Sequence, residues 1–184
     1  MKKITILLTS SLFVTVAAVN ANADSYNYTP YVGIDYTFNQ TKADGFNPHY
    51  SVGGLHIGSD YSKYFSTELF ANQSSRNKRS VDGKNIRTSY YNYGLDILAY
   101  LPLGASEKVS LLATAGIGEY VYKTKFSPTD RHHEHGIAYR FGGGAKYNFD
   151  SHWQARAIGR YAKFNKLGGY DHAAEYTLSI EYHF

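Results

Sequence analysis

The last ten residues constrain this chain more tightly than any others. From Glu175 onward, Tyr176, Leu178, Ile180, Tyr182 and Phe184 alternate with Glu175, Thr177, Ser179, Glu181 and His183. Successive side chains of a β-strand point to opposite faces, so a period of two makes one face apolar and the other polar. The 3.6-residue period of a helix would scatter the same residues around its circumference. A strand with lipid on one side and a polar interior on the other requires this pattern.

The same period recurs upstream. Val32, Ile34, Tyr36 and Phe38 alternate with Gly33, Asp35 and Thr37, and Leu55 and Ile57 with Gly54, His56 and Gly58. Phe65, Thr67, Leu69 and Ala71 oppose Ser66, Glu68 and Asn72, and Tyr91 to Leu101 oppose Asn92, Gly94 and Asp96. Three further runs, 109–122, 137–149 and 153–161, behave likewise, with Ser110, Thr114, Arg140, Lys146, Arg156 and Arg160 on the polar side. The pattern predicts eight strands, each near the ~9–11 residues that cross a bilayer at a tilt. Short links at 60–63, 102–107 and 150–152 alternate with longer ones at 39–49, 73–87, 123–136 and 163–172. Long loops on one side and short turns on the other suit an all-β, eight-stranded antiparallel up-and-down transmembrane barrel, with both mature ends on the short-turn side.

Composition agrees once the two faces are separated. The mean hydropathy of −0.42 averages an apolar and a polar face, while 19 Tyr, 10 Phe and 17 Gly form an unusual mixture for a soluble core. A soluble barrel or sandwich would bury its apolar faces, whereas here those faces carry large aromatics and the opposite ones carry Gly, Ser and charges. Cysteine is absent, which excludes disulfides and thiol chemistry.

The start of the chain reads as an export signal. Lys2 and Lys3 precede an apolar run from Ile4 to Val19, and Ala21-Asn22-Ala23 supplies a small-x-small cleavage site. Cleavage would leave a barrel domain of residues 24–184 and lower the formal charge from +4 to +2. That balance is too weak to make nucleic acid a partner.

The segments Tyr64-Phe65-Ser66-Thr67-Glu68-Leu69, Leu98-Ala99-Tyr100-Leu101-Pro102-Leu103, Ala113-Thr114-Ala115-Gly116-Ile117-Gly118 and Leu178 to Phe184 carry a family resemblance. The chain resembles the small eight-stranded outer-membrane proteins: the OmpA transmembrane domain, OmpX/Ail and the opacity-protein-like porin group. The resemblance implies location in a bacterial outer membrane. It also implies that Tyr176, Leu178, Ile180, Tyr182 and Phe184 form the signal read by the barrel assembly machinery. No periplasmic peptidoglycan-binding domain follows Phe184, so that role of full-length OmpA does not carry over.

Inward positions collect opposite charges: Asp35, Glu68 and Asp96 against Arg140, Lys146, Arg156 and Arg160. In so narrow a barrel these are expected to pair as a salt-bridged plug, in preference to an ion gate. The link at 73–87 is basic, with Arg76, Lys78, Arg79, Lys84 and Arg87 against Asp82, and suits phosphate or anionic glycan. His132, His133 and His135, with His49 and His172, fix no coordination geometry, so no metal is expected, and no cofactor either. The glycines at 53, 54, 58, 116, 118 and 142–144 precede no helix and do not read as a phosphate loop. His49-Tyr50-Ser51 matches a His-x-Ser arrangement found in some lipid A-modifying barrels, but without an acidic partner it does not make the chain an enzyme.

The expected function is a structural and surface-interaction role: envelope integrity, adhesion, or contact with lipopolysaccharide or a host surface ligand through the outer loops. The alternative is a narrow gated pore for ions or small solutes. Lipid, lipopolysaccharide and the assembly machinery are the expected partners, and the barrel is expected to be a monomer.

Overall fold

The computed structural model describes residues 28–43, 47–81, 84–125, 131–165 and 167–184, apart from the side chains of 78–81, 84–86 and 131. Among them every regular element is a strand: β1 (Thr29–Ala43), β2 (His49–Ser62), β3 (Phe65–Ser74), β4 (Asn77–Val81), β5 (Lys84–Leu103), β6 (Val109–Lys125), β7 (Arg131–Asn148), β8 (Trp153–Asn165) and β9 (Tyr170–His183). All pairings are antiparallel. β1 pairs with β9, with Tyr36 opposite Leu178, and β3 pairs with β5, with Glu68 opposite Asp96. The sheet thereby closes and leaves no edge around the wall. β4 continues along β5 beyond the end of β3, so the two share one position in an eight-stranded barrel. The barrel expected from the alternation is the one observed.

The two faces divide as the period requires. Outward, Leu178 is 62% exposed and Ile34 60%; inward, Leu98 is 0% exposed. In water such a wall would leave a large apolar surface uncovered. Against lipid it is the stable arrangement, because the closed ladder satisfies every wall N–H and C=O internally. Aromatics gather toward both ends of the band. Near the turns Trp153 packs edge-on against Tyr182 at 5.1 Å, and Tyr147 against Phe149 at 5.2 Å. Toward the opposite end stand Tyr36, Phe38, Tyr139, Tyr161 and Tyr176. Amphipathic rings favour these two interfacial levels.

The links differ from expectation at one end. Much of 39–49, 73–87, 123–136 and 163–172 continues the strands: β5 runs for 20 residues and β7 for 18. Lys123, opposite His133, and Arg87, opposite Lys125, therefore lie on ladders rather than in loops. Beyond the bilayer the outward face meets water, while the inward face stays buried through polar residues such as Asn39, Thr41 and Thr88. The apolar alternation that marks a wall strand then disappears while the backbone hydrogen bonds continue.

At the opposite end the turns are short. In the turn before β8, the Asp150 carboxylate accepts from the backbone N–H groups of His152 (2.7 Å) and Trp153 (2.8 Å). These two donors hold its pKa below the usual carboxylate value. Between the first two turns, Lys63 pairs with Glu107 at 2.7 Å. The proposed signal segment, residues 1–23, lies outside the described residues.

Candidate functional site: a filled lumen and a basic outer rim

The inward parity of the strands sends polar side chains into a space too narrow to be left empty. Arg156 sits at its centre with both neighbouring acids buried. Its Nη2 donates to Glu68 Oε2 at 2.8 Å, and its Nε pairs with Glu181. Glu68 also meets Arg160 Nη2 at 3.5 Å, and Arg160 reaches Asp96 Oδ2 at 3.3 Å. Asp96 in turn pairs with Arg140 Nη1 at 3.3 Å, and Arg140 Nη2 with Glu175 Oε2 at 3.2 Å. On the other side of Arg156, His56 bridges Asp35 Oδ2 (2.9 Å) and Glu181 Oε1 (3.2 Å). One continuous chain of ionic contacts thus runs along the lumen.

Of the seven inward charges read from the sequence, six lie in this chain. Lys146 stands apart, buried with its Nζ 4.0 Å from the centroid of the Tyr100 ring. Sequence reasoning left out His56, Glu175 and Glu181, although the same alternation placed all three on the polar face. The alternation gives each residue a face but not a partner across the lumen. Below the network, His183 Nδ1 approaches Asp60 Oδ2 at 3.4 Å.

Above the network, toward the long hairpins, the lumen turns aromatic. Tyr50, Tyr90, Tyr120, Tyr122 and Phe164 are buried together, with Leu167, and Tyr170 packs against them. Tyr122 stacks on Tyr170 at 4.1 Å and lies 5.0 Å from Tyr90; Tyr50 meets Tyr90 edge-on at 5.1 Å. Three of their hydroxyls have polar partners. Tyr120 Oη donates to Glu175 Oε1 at 2.7 Å, Tyr50 Oη to Thr88 Oγ1 at 3.1 Å, and Tyr122 Oη lies 3.1 Å from Thr41 Oγ1. The Tyr120–Glu175 bond joins the aromatic layer to the ionic one. No sequence signal marked this layer, because aromatics at inward positions break the apolar-out pattern.

At the outer rim Arg76 and Arg87 are exposed. Lys78 is placed opposite Arg87, and Lys84 opposite Val81, in the β4–β5 hairpin; Arg79 lies opposite Ile86. The side chains of Lys78, Arg79 and Lys84 are outside those described. His132, His133 and His135 stand on β7. His132 Nε2 approaches Glu134 at 3.3 Å and His135 Nδ1 approaches Glu119 at 3.5 Å. Among the described residues no group of three or more His, Asp or Glu side chains converges as a metal site. The His49-Tyr50-Ser51 triplet is split by the strand period. His49 stacks on Phe38 at 5.8 Å, Tyr50 enters the lumen, and Ser51 Oγ accepts from Tyr36 Oη at 3.2 Å. At the end of the chain, Phe184 N–H donates to Pro30 C=O at 3.1 Å, while its ring is 70% exposed and packs on Tyr182.

Known proteins share this architecture. Neisserial surface protein A is similar with a TM-score of 0.71 and 11% identity, over 84% of this chain and 97% of that one. Ail, the attachment invasion locus protein of Yersinia pestis, gives a TM-score of 0.61 and 17% identity over 85% and 98%. A major outer membrane protein from Thermus thermophilus gives 0.62 and 10% over 86% and 100%. No curated protein matches the sequence. At these identities the likeness shows the fold; the family follows from the sequence itself, which matches the model for the outer membrane protein beta-barrel domain over residues 9–184. With a closed eight-stranded wall that is apolar outside and charged within, the chain belongs to the outer membrane protein β-barrel domain family.

Proposed function

We propose that this outer-membrane barrel is a structural and surface-interaction protein that neither conducts nor catalyses. A single observation carries the reading. The lumen is filled by an ionic chain from Asp35 to Glu175 and capped by the Tyr50–Tyr90–Tyr120–Tyr122 layer. Chemistry that can meet a partner is then left to the outer hairpins. There Arg76, Lys78, Arg79, Lys84 and Arg87 concentrate positive charge suited to sulfate or phosphate groups. The structure of Ail in complex with the heparin analogue sucrose octasulfate supports an anionic glycan as the class of ligand.

In this reading the chain is exported with a signal peptide cut after Ala23. It is recognised for assembly through Tyr176, Leu178, Ile180, Tyr182 and Phe184, and it works as a monomer. Retention of the refolded barrel on immobilised sulfated glycan tests the surface role. Replacing Arg76, Lys78, Arg79 and Lys84 by glutamine should lower the salt concentration that elutes the protein while leaving the fold intact. Elution at unchanged salt would refute the role.

A further inference from the structure

The strand register carries positive charge well beyond the β4–β5 hairpin. Lys78 lies opposite Arg87, Arg87 opposite Lys125, and Lys125 opposite Arg131, one residue on each of β4, β5, β6 and β7. With strands ~4.8 Å apart, this row spans roughly 14 Å. Like charges directly opposite one another across strands repel, so the row stands at a cost that an anion would relieve.

Its two described side chains belong to the outer face of the wall. Arg87 and Lys125 are exposed, and they continue the outward parity of Tyr91 and Val121, whereas Thr88, Tyr90 and Tyr122 point inward and are buried. One step nearer the membrane on the same face, Lys123 is exposed with its Nζ 4.7 Å from the centroid of the Tyr91 ring. Tyr91 and Tyr93 stand at the level of the aromatic band, where lipid headgroups begin. Among the described residues, Glu119 is an acid on the same face; it accepts from Tyr93 Oη at 2.5 Å and lies 3.5 Å from His135. It is engaged elsewhere.

We infer that the outward face formed by Arg87, Lys123 and Lys125, extended in register by Lys78 and Arg131, binds the phosphate groups of the lipopolysaccharide headgroup in the surrounding outer leaflet. This inference rests on the orientation used above, with the long hairpins outside. It assigns to β6 and β7 a ligand that approaches sideways from the membrane, where the glycan of the preceding reading approaches from the medium. The placement decides between these occupants for this face: Arg87, Lys123 and Lys125 point away from the barrel axis, just above the interfacial tyrosines.

The test uses the refolded full barrel in mixed micelles, titrated with bisphosphorylated lipid A and with dephosphorylated lipid A. Lys123→Gln with Lys125→Gln should weaken binding of the phosphorylated lipid by about tenfold or more. Arg87→Gln should weaken it in the same direction. A control with equal charge loss at the other end, Lys63→Gln with Lys108→Gln, should leave binding unchanged, and the dephosphorylated lipid should bind weakly to every variant. Equal losses in both pairs of variants, or equal binding of the two lipids by the parent, would overturn the proposal. Sulfated-glycan retention separates the two readings: Lys123→Gln with Lys125→Gln should leave it unchanged, and a loss of glycan retention with unchanged lipid A binding would overturn the proposal.

Discussion

Replacing Arg156 by methionine should be among the most damaging single changes to this barrel. The guanidinium and both of its partner carboxylates are almost fully shielded, with side chains 1–2% exposed. At 2.8 Å and an effective dielectric constant near 20, the Arg156–Glu68 attraction alone is about 6 kcal/mol before desolvation is subtracted. Methionine fills a similar volume but leaves Glu68 with the longer 3.5 Å contact to Arg160, and Glu181 with His56 and His183. Breaking a buried pair from one side typically costs about 3–5 kcal/mol, because a charge stays buried without its partner. Trp153 is the sole tryptophan, and it lies at the turn end against Tyr182, so its fluorescence during urea unfolding in lipid vesicles reports loss of the barrel. The Arg156→Met variant should unfold with a free energy lower by about 3–5 kcal/mol, and adding Glu181→Gln should recover part of that loss. A loss below about 1 kcal/mol, or additive losses in the double variant, would refute the claim that these charges form a coupled network.

Three other outcomes follow from named contacts. Gly144→Ala would drive a methyl group into the Ala157 carbonyl and should cost about 1–3 kcal/mol, whereas Gly53→Ala, where the methyl meets nothing within 4 Å, should be tolerated; urea midpoints compare them. Deleting Phe184 should slow assembly in cells, read as accumulation of unfolded chain in the periplasm, while refolding of the purified barrel in detergent stays near normal. Asp150 has a lowered pKa in the folded chain, so the stability it confers is present at neutral pH and is lost as pH falls below about 4. Asp150→Asn should flatten that part of the stability profile measured by urea unfolding.

The wall was legible in the sequence because lipid on one side and a crowded polar lumen on the other impose a strict period of two. Arg140, Arg156 and Arg160 could be assigned to the lumen for the same reason. His56, Glu175 and Glu181 carried the same signal but gain meaning only once neighbouring strands are set in register. Two features left no trace in hydropathy. The tyrosine layer uses aromatic rings at inward positions, where Tyr120 and Tyr122 satisfy their hydroxyls through Glu175 and Thr41. The extended hairpins, including Lys123 and Lys125, lie beyond the membrane, where both faces of a strand are polar. The row from Lys78 to Arg131 draws on residues more than fifty positions apart and exists only through pairing.

Single-channel recording in planar bilayers addresses the filled lumen most directly. The refolded parent protein should give no reproducible conductance steps, and opening the aromatic layer with Tyr50→Ala and Tyr122→Ala should begin to produce them. Regular steps from the parent that disappear on Glu68→Gln would contradict the account and make the ionic chain a gate.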